Sequence, residues 1–438
     1  MTKPNLVTPD VQSPAPQKTR RQFLQLLGAA AGAAAVAPAT LARAQANPPS
    51  SAKARYVYVG TYTIDIPPGG SHPTNAVGIY VYKMDAPNGR LTFVQAMPTD
   101  NPSFLAIDPQ QAYLYCVNEL GPDAGETTPL GRVSAYSINQ SDGTLRLINT
   151  APTNGTYPCH VWVHPKGGYL FAANYGGTVK FPGSFAVFKL NSDGSIGAMT
   201  QLIREEGNGT GPDPVREEVG HAHMILTDPS GDHVFGVDLG MDMVKAWDFD
   251  QVNGKLTPAT VPSASVGVGS GCRHMTFHPG GKFAYVINEL SSTVNAHSFD
   301  PNRGAFIWLQ TVSTLPKNTQ FTRPVGVEIP PHTSTCSEIR IHPTGHWLYG
   351  ANRGANVISV FAVDQTTGKL TPQGWVQTQG KIPRGMNIDP SGTFMYVGNQ
   401  DSDTIAVFGI DPWDGDLQGP LDLIPSPTPV DFEFGPFA

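Results

Sequence analysis

The sequence predicts an all-β protein made of repeated four-stranded antiparallel units, on three observations. One phrase recurs six times: NPSFLAIDPQQAYLYCVNEL from Asn101, PCHVWVHPKGGYLFAANYGG from Pro158, HAHMILTDPSGDHVFGVDLG from His221, CRHMTFHPGGKFAYVINELS from Cys272, CSEIRIHPTGHWLYGANRGA from Cys336 and PRGMNIDPSGTFMYVGNQDS from Pro383. Each copy is an alternating apolar segment, an (Asp/His)-Pro turn, a second apolar segment and then Asn or Asp. Recurrence at roughly 50–65 residues, with four short strands per unit, marks the blades of a β-propeller. Composition agrees: 47 Gly and 41 Pro against 14% charged residues suit short strands and tight turns, not a helical bundle. The third observation is a glycine pair, Asp or Asn with Gly in most copies, that follows the third strand, as in Asn253-Gly254-Lys255-Leu256 and Thr367-Gly368-Lys369-Leu370. Such pairs turn a hairpin from a third strand into a fourth.

Taken in order, the chain begins with a segment that does not belong to the repeats. Thr19-Arg20-Arg21-Gln22-Phe23-Leu24 precedes an Ala-rich apolar run over 26–37, and small-residue sites follow at Ala42-Arg43-Ala44 and Ala44-Gln45-Ala46. Residues 1–46 therefore read as a cleavable twin-arginine export signal and leader, placing the mature protein in the periplasm or outside the cell. The twin-arginine machinery would be a transient partner. The run is too short to make a stable membrane span.

Residues 54–438 read as one propeller domain. The segment 56–95 holds YVYVGTYT, GIYVYKM and an Asn88-Gly89 hairpin, which are strands two to four of a blade without its first. Pro429-Val430-Asp431-Phe432-Glu433-Phe434 is short and alternating, and is expected to supply that strand beside Tyr56–Gly60, closing a seven-bladed ring. Closure removes two sheet edges. Within a copy, Met275, Phe277, Phe283, Tyr285 and Ile287 show the period of a strand. Third strands follow at 294–299, 357–363 and 404–410. Two stretches, 203–220 and 317–335, exceed the repeat just before first strands, where binding loops commonly sit. A formal charge of −7 without a basic stripe excludes nucleic acid as a partner. The four cysteines, Cys116, Cys159, Cys272 and Cys336, form no CxxC pair, so no zinc site is expected. A Cys272–Cys336 disulfide is possible in the periplasm, but free thiols are favoured.

Superposing the copies separates folding from chemistry. The series Asn118, Asn174, Asp238, Asn288, Asn352, Asn399 barely varies and reads as a turn cap. Six residues before each turn proline the copies hold Ser103, Cys159, His223, Arg273, Ser337 and Arg384. Just after the cap they hold Glu119, Tyr175, Leu239, Glu289, Arg353 and Gln400. These variable registers are expected to face an axial funnel, where His, several Arg and two Glu at one level are poorly explained by packing.

Gly60-Thr61-Tyr62-Thr63, residues 209–216 followed by His221-Ala222-His223, the phrase NELSSTV from Asn288, and Asn352-Arg353-Gly354 resemble the lactonase family of seven-bladed propellers. The resemblance covers roughly Arg55 to Phe434. It implies a bacterial 6-phosphogluconolactonase-like or muconate-lactonizing activity, a small-molecule lactone substrate and no cofactor. By motif it implies an active site of His223, Arg273, Glu289 and Arg353, with His221, Glu119, Tyr175, Arg384, Gln400 and Arg216 around the substrate. The export signal and the 317–335 loop depart from a cytoplasmic sugar-phosphate enzyme.

Lactone opening needs a base for water, a donor for the oxyanion and an acid for the ring oxygen. Glu289 or His223 can be the base, and the reading favours Glu289 as base and His223 as acid. Arg273 and Arg353 can hold an oxyanion or a substrate carboxylate. Cys159 shares the His223 register, but a buried inert thiol is favoured over a nucleophile. Competing readings are a His221–His223 metal pair, a structural Glu289–Arg353 ion pair, a cycloisomerase acting on a muconate-like diacid, and a non-catalytic binding propeller.

Overall fold

The structure, a computed structural model, describes residues 54–64, 74–122, 128–177, 180–207, 209, 211–316 and 334–437. Both the export signal with its cleavage sites and residues 317–333 of the second long loop lie outside the described residues.

The strands group into seven four-stranded antiparallel sheets, one per blade. Six sheets are consecutive in sequence. In the seventh, numbered blade 1 here, the C-terminal strand Pro429–Phe437 pairs with Ala54–Thr61, in the register Val57↔Phe434 and Val59↔Phe432. The C-terminal segment thus supplies the missing first strand. Blades 2 to 7 begin with the first strands Leu105–Ile107, Pro158–Val163, Ala222–Thr227, Cys272–Phe277, Thr335–Ile341 and Pro383–Ile388. Among the described residues the helical structure is one 3₁₀ turn, Gln400–Ser402, and no helix is long and apolar enough to cross a membrane.

The core is divided into wedges. Seven clusters of buried side chains lie one at each junction between neighbouring blades, such as Tyr285, Ile287, Ile339, Leu348 and Phe361 between blades 5 and 6. Burying both faces of the inner strands explains why their sequence reads as nearly continuous apolar runs. Fourth strands are outermost and half exposed, as in Leu91–Pro98.

Two repeated contacts fix each blade against the next. The hairpin glycines Gly89, Gly143, Gly194, Gly254, Gly304, Gly368 and Gly415 all have φ between +58° and +80°. Each also abuts the ring that opens the preceding blade's second strand: a Cβ on Gly368 would stand 2.3 Å from Phe283, and one on Gly143 2.4 Å from Tyr56. Glycine is required there by conformation and by space. Two residues after that ring, a buried tyrosine donates to the same glycine's carbonyl: Tyr58 to Gly143 (3.0 Å), Tyr115 to Gly194 (2.9 Å), Tyr285 to Gly368 (3.1 Å), Tyr349 to Gly415 (2.8 Å) and Tyr396 to Gly89 (2.7 Å). The last of these joins blade 7 to blade 1.

The Asn/Asp series divides between turn caps, as expected, and side-chain bonds to the third strand, as from Asn288 to Asn295 (2.8 Å). Asp238 Oδ1 accepts from the backbone of His221 (2.8 Å) and Met241 (3.0 Å), and Asn352 Nδ2 donates to Ser359 Oγ (2.9 Å). All four cysteines are buried and free; Cys272 turns to the Asp238 carbonyl (3.0 Å) and Cys336 to Thr314 Oγ1 (3.2 Å), so they do not pair.

Candidate active site

The first strands carry a shared irregularity that creates the site. In the ladders between first and second strands the pairing slips by one residue, leaving Cys159, His223, Arg273 and Arg384 each as the extra residue of a bulge. In blade 6 the slip spans Ser337 and Glu338. A bulge bends its strand and re-aims the side chain of the residue it frees. The variable register is therefore variable because these residues lie outside the regular ladder.

Glu289 is the centre of the site. It ends the second strand of blade 5 just past the Asn288 cap, and its backbone is pinned by hydrogen bonds to Gly271 (2.7 Å) and Cys336 (3.2 Å). Its carboxylate, only 2% exposed, faces three guanidiniums: Arg216 Nη2 at 2.8 Å, Arg353 Nη2 at 3.0 Å and Arg273 Nε at 3.2 Å. Burial disfavours its charge, but Arg216, Arg353 and Arg273 prevail and hold the carboxyl well below the ordinary glutamate range. Arg353 also donates to the Cys336 carbonyl (2.8 Å), and Arg273 Nη1 to the carbonyl of Ser337. Burial, with Arg353 and Arg384 nearby, pushes Arg273 down to about 10, which leaves it charged at neutral pH.

Arg216 arrives from the 203–220 insertion. Asp213 caps the turn that presents it, accepting from the backbone of Val215 (2.9 Å) and Arg216 (3.1 Å). Arg216 Nε then donates to Tyr175 Oη at 2.9 Å, so Tyr175 positions the arginine. His221 stacks on Tyr175 (4.4 Å between centroids) and places both ring nitrogens against protein: Nδ1 at the Tyr175 carbonyl (3.1 Å) and Nε2 at Glu218 (3.3 Å). Although two apart in sequence, His221 and His223 are differently engaged.

His223 lies edge-on to Tyr175 (5.7 Å), with Nδ1 3.8 Å from the Cys159 thiol. Burial, Arg273 and His274 depress its pKa well below 6.5, so the imidazole is neutral. Burial pushes the Cys159 thiol up, which keeps it protonated and unreactive. Across the ring closure, Tyr62 donates to Glu119 Oε2 (2.9 Å), and the Arg384 guanidinium lies 5.0 Å from the Tyr62 ring centre. Gln400 is the predicted residue least joined to this group: its side chain turns to Asp401 (3.2 Å).

Several buried polar residues escaped the sequence reading. Tyr62 belongs to a quoted motif but was given no role. His160, His274 and Glu338 stand one position after the superposed register, five residues before the turn proline. Strict alternation sends that position to the other face from Arg273, and next to the bulges His274 and Glu338 meet at 3.1 Å. Superposing the neighbouring register would have exposed them. Among the described residues no group of three or more His, Cys, Asp or Glu is arranged to hold a metal ion.

Known proteins are similar to this chain over most of its length. Residues 56–434 match the family model described as "Lactonase, 7-bladed beta-propeller". The 6-phosphogluconolactonase of Bacillus subtilis is 33% identical over 328 residues, covering 75% of this chain and 83% of the relative. That of Formosa agariphila is 29% identical over 336 residues, covering 76% and 86%. Among solved structures, the periplasmic gluconolactonase PpgL of Pseudomonas aeruginosa superposes with a TM-score of 0.76 at 30% identity, over 86% of this chain and 98% of that one. The chain belongs to the family of seven-bladed β-propeller lactonases.

Proposed function

We propose that this protein is an exported lactonase that opens an anionic, sugar-derived lactone in its central funnel. The observation that carries the reading is the convergence of four guanidiniums and one neutral imidazole around Glu289 and Glu119. Arg216, Arg273, Arg353 and Arg384 against those two carboxylates leave a surplus of two positive charges (four minus two). Such a surplus, largely removed from water, suits a carboxylate or phosphate on the substrate together with an oxyanion.

The chemistry needs no further group. With Nδ1 turned to Cys159, His223 Nε2 takes a proton from water as the oxygen bonds to the lactone carbonyl carbon. Arg273 or Arg353 stabilises the oxyanion that forms. As the ring C–O bond breaks, the imidazolium returns its proton to the departing alkoxide. A buried imidazolium beside Arg273 is a strong acid, which favours that return. The balance is lactone plus water to hydroxy acid, whose carboxyl proton is released. Glu289, tied to three guanidiniums, is a poor base; its role in this reading is to hold the arginines. The assignment of Glu289 as base and His223 as acid is revised accordingly.

Support for export comes from the Arg20-Arg21 motif and from a structural neighbour described as periplasmic. A second reading, lactonization of a muconate-like diacid, draws on the same two-charge surplus; loss of the conjugated-diene absorbance would separate it from hydrolysis. The deciding experiment follows acid release at constant pH over neutral, carboxylated and phosphorylated sugar lactones, with Glu289→Gln beside the wild type. Anionic lactones are expected to open fastest and the variant to be impaired. Hydrolysis no faster than the spontaneous rate across the set sinks the proposal.

A further inference from the structure

The first strands of blades 5 and 6 bring together a second polar array beside the site. His274 Nδ1 lies 3.1 and 3.2 Å from the two Glu338 oxygens, and both side chains are 1–2% exposed. Glu338 also accepts from the Ile339 backbone (2.9 Å) and sits 3.5 Å from Arg340 Nη2. Arg340 is itself anchored on the Met386 carbonyl (3.1 Å), with Asp431 of the closing strand at 3.9 Å. Among the described residues, none of these side chains is hydrogen-bonded or ion-paired to Glu289.

The array nevertheless contacts two groups of the proposed reaction, His223 and Arg273. The His274 ring stands edge-on to His223, 5.1 Å between centroids at 71°. Its nitrogens lie 3.4 and 3.5 Å from Arg273 Nη1. On its other sides it meets Phe104 (5.6 Å) and His160 (5.5 Å) edge to face. A carboxylate only accepts, so Nδ1 of His274 carries the proton and Nε2 is left bare. Glu338 therefore fixes both the tautomer and the tilt of a ring that serves as a wall for His223 and Arg273.

We propose that Glu338, acting through His274, is a positioning residue for the hydrolytic site, setting the orientation of His223 and Arg273. This rests on the lactonase reading for its kinetic arm alone. Packing by itself would be met by an apolar pair of the same volume. A carboxylate and an imidazole taken so far from water are costly even when hydrogen-bonded, and a buried apolar pair of similar size is often no less stable. The titratable and charged groups acting on His274 are Arg273, His160, His223, Glu338 and Arg340, with Arg384 and Glu289 at longer range.

The test compares wild type, Glu338→Gln and His274→Gln, using ¹⁵N-histidine-labelled protein, kinetics on the best lactone and thermal melting. In the wild type, His274 is expected to show the two-bond ¹H–¹⁵N pattern of a single Nδ1–H tautomer. Glu338→Gln is expected to mix that pattern, shift the His223 resonances and lower kcat about 10- to 100-fold, with KM moving less than about 3-fold. His274→Gln keeps the Glu338–Arg340 pair and is expected to show the same kcat loss, which covers failure of the first variant to fold. Unchanged His223 resonances and kcat in either folded variant would overturn the proposal. So would a loss of activity that only follows the folded fraction. If no lactone is opened by the wild type, the functional reading fails while the resonances still decide the positioning role.

Discussion

At the scale of single residues, the site is governed by burial acting on charge. Glu289 is ionised because three guanidiniums outweigh its desolvation, and His223 is neutral because burial, Arg273 and His274 all oppose its protonation. A base must be unprotonated to work, and the pKa of His223 lies well below 6.5. Activity is therefore expected to stay level from neutral pH down through 6.5 and to fall only in more acidic solution. A kcat/KM profile with an acid limb centred at 6.5 or above would remove His223 from the role of base. The stability sign is the same: the contribution of His223 is complete above its unfolded value and is lost as the pH falls toward the folded one. Replacing Arg353 by alanine removes an oxyanion or carboxylate donor, and kcat/KM is expected to drop about 10²- to 10³-fold. Glu289→Gln leaves three guanidiniums facing one another without the anion between them. A loss of about 3–5 kcal/mol in unfolding free energy is expected, read by denaturant titration.

At the scale of elements, the second-strand tyrosine and the hairpin glycine couple one blade to the next. Tyr396→Phe removes the bond to the Gly89 carbonyl and is expected to cost about 1 kcal/mol without changing kcat. Phe171 and Phe235 occupy the same position in blades 3 and 4, so the ring itself fits there. Much of this level was legible in the sequence. The repeated phrase located the inner strands, and the Asp/Asn-Gly and related glycine pairs located the hairpins. The bulges were not legible, because the slip depends on how two strands pair and leaves alternation within either strand almost intact. That is why Arg273 was found as a register outlier while its neighbour His274 was missed.

At the scale of the molecule, closure is the decisive event. Pro429–Phe437 completes blade 1 and inserts Phe432 and Phe434 into the junction with blade 7. A chain ending at Pro429 would leave the edge of Ala54–Thr61 unpaired and that junction half filled. It is expected to aggregate or to melt well below the full chain, and a soluble truncation with an unchanged melting temperature would contradict this. Export is tested separately: with both Arg20 and Arg21 changed to lysine, the protein should remain in the cytoplasm on fractionation.

The sequence by itself determined the blades, their number, the closing strand and most members of the buried polar cluster, because each is written in local periodicity or in departures from a repeat. It also marked Glu289 and the arginines as unusual. Only the tertiary structure decided what surrounds them. A side chain's basicity depends on what surrounds it, and Arg216, Arg273 and Arg353 come from three separate parts of the chain to quench the one carboxylate that looked like a base. The pairing of His274 with Glu338, from neighbouring blades, belongs to that same level.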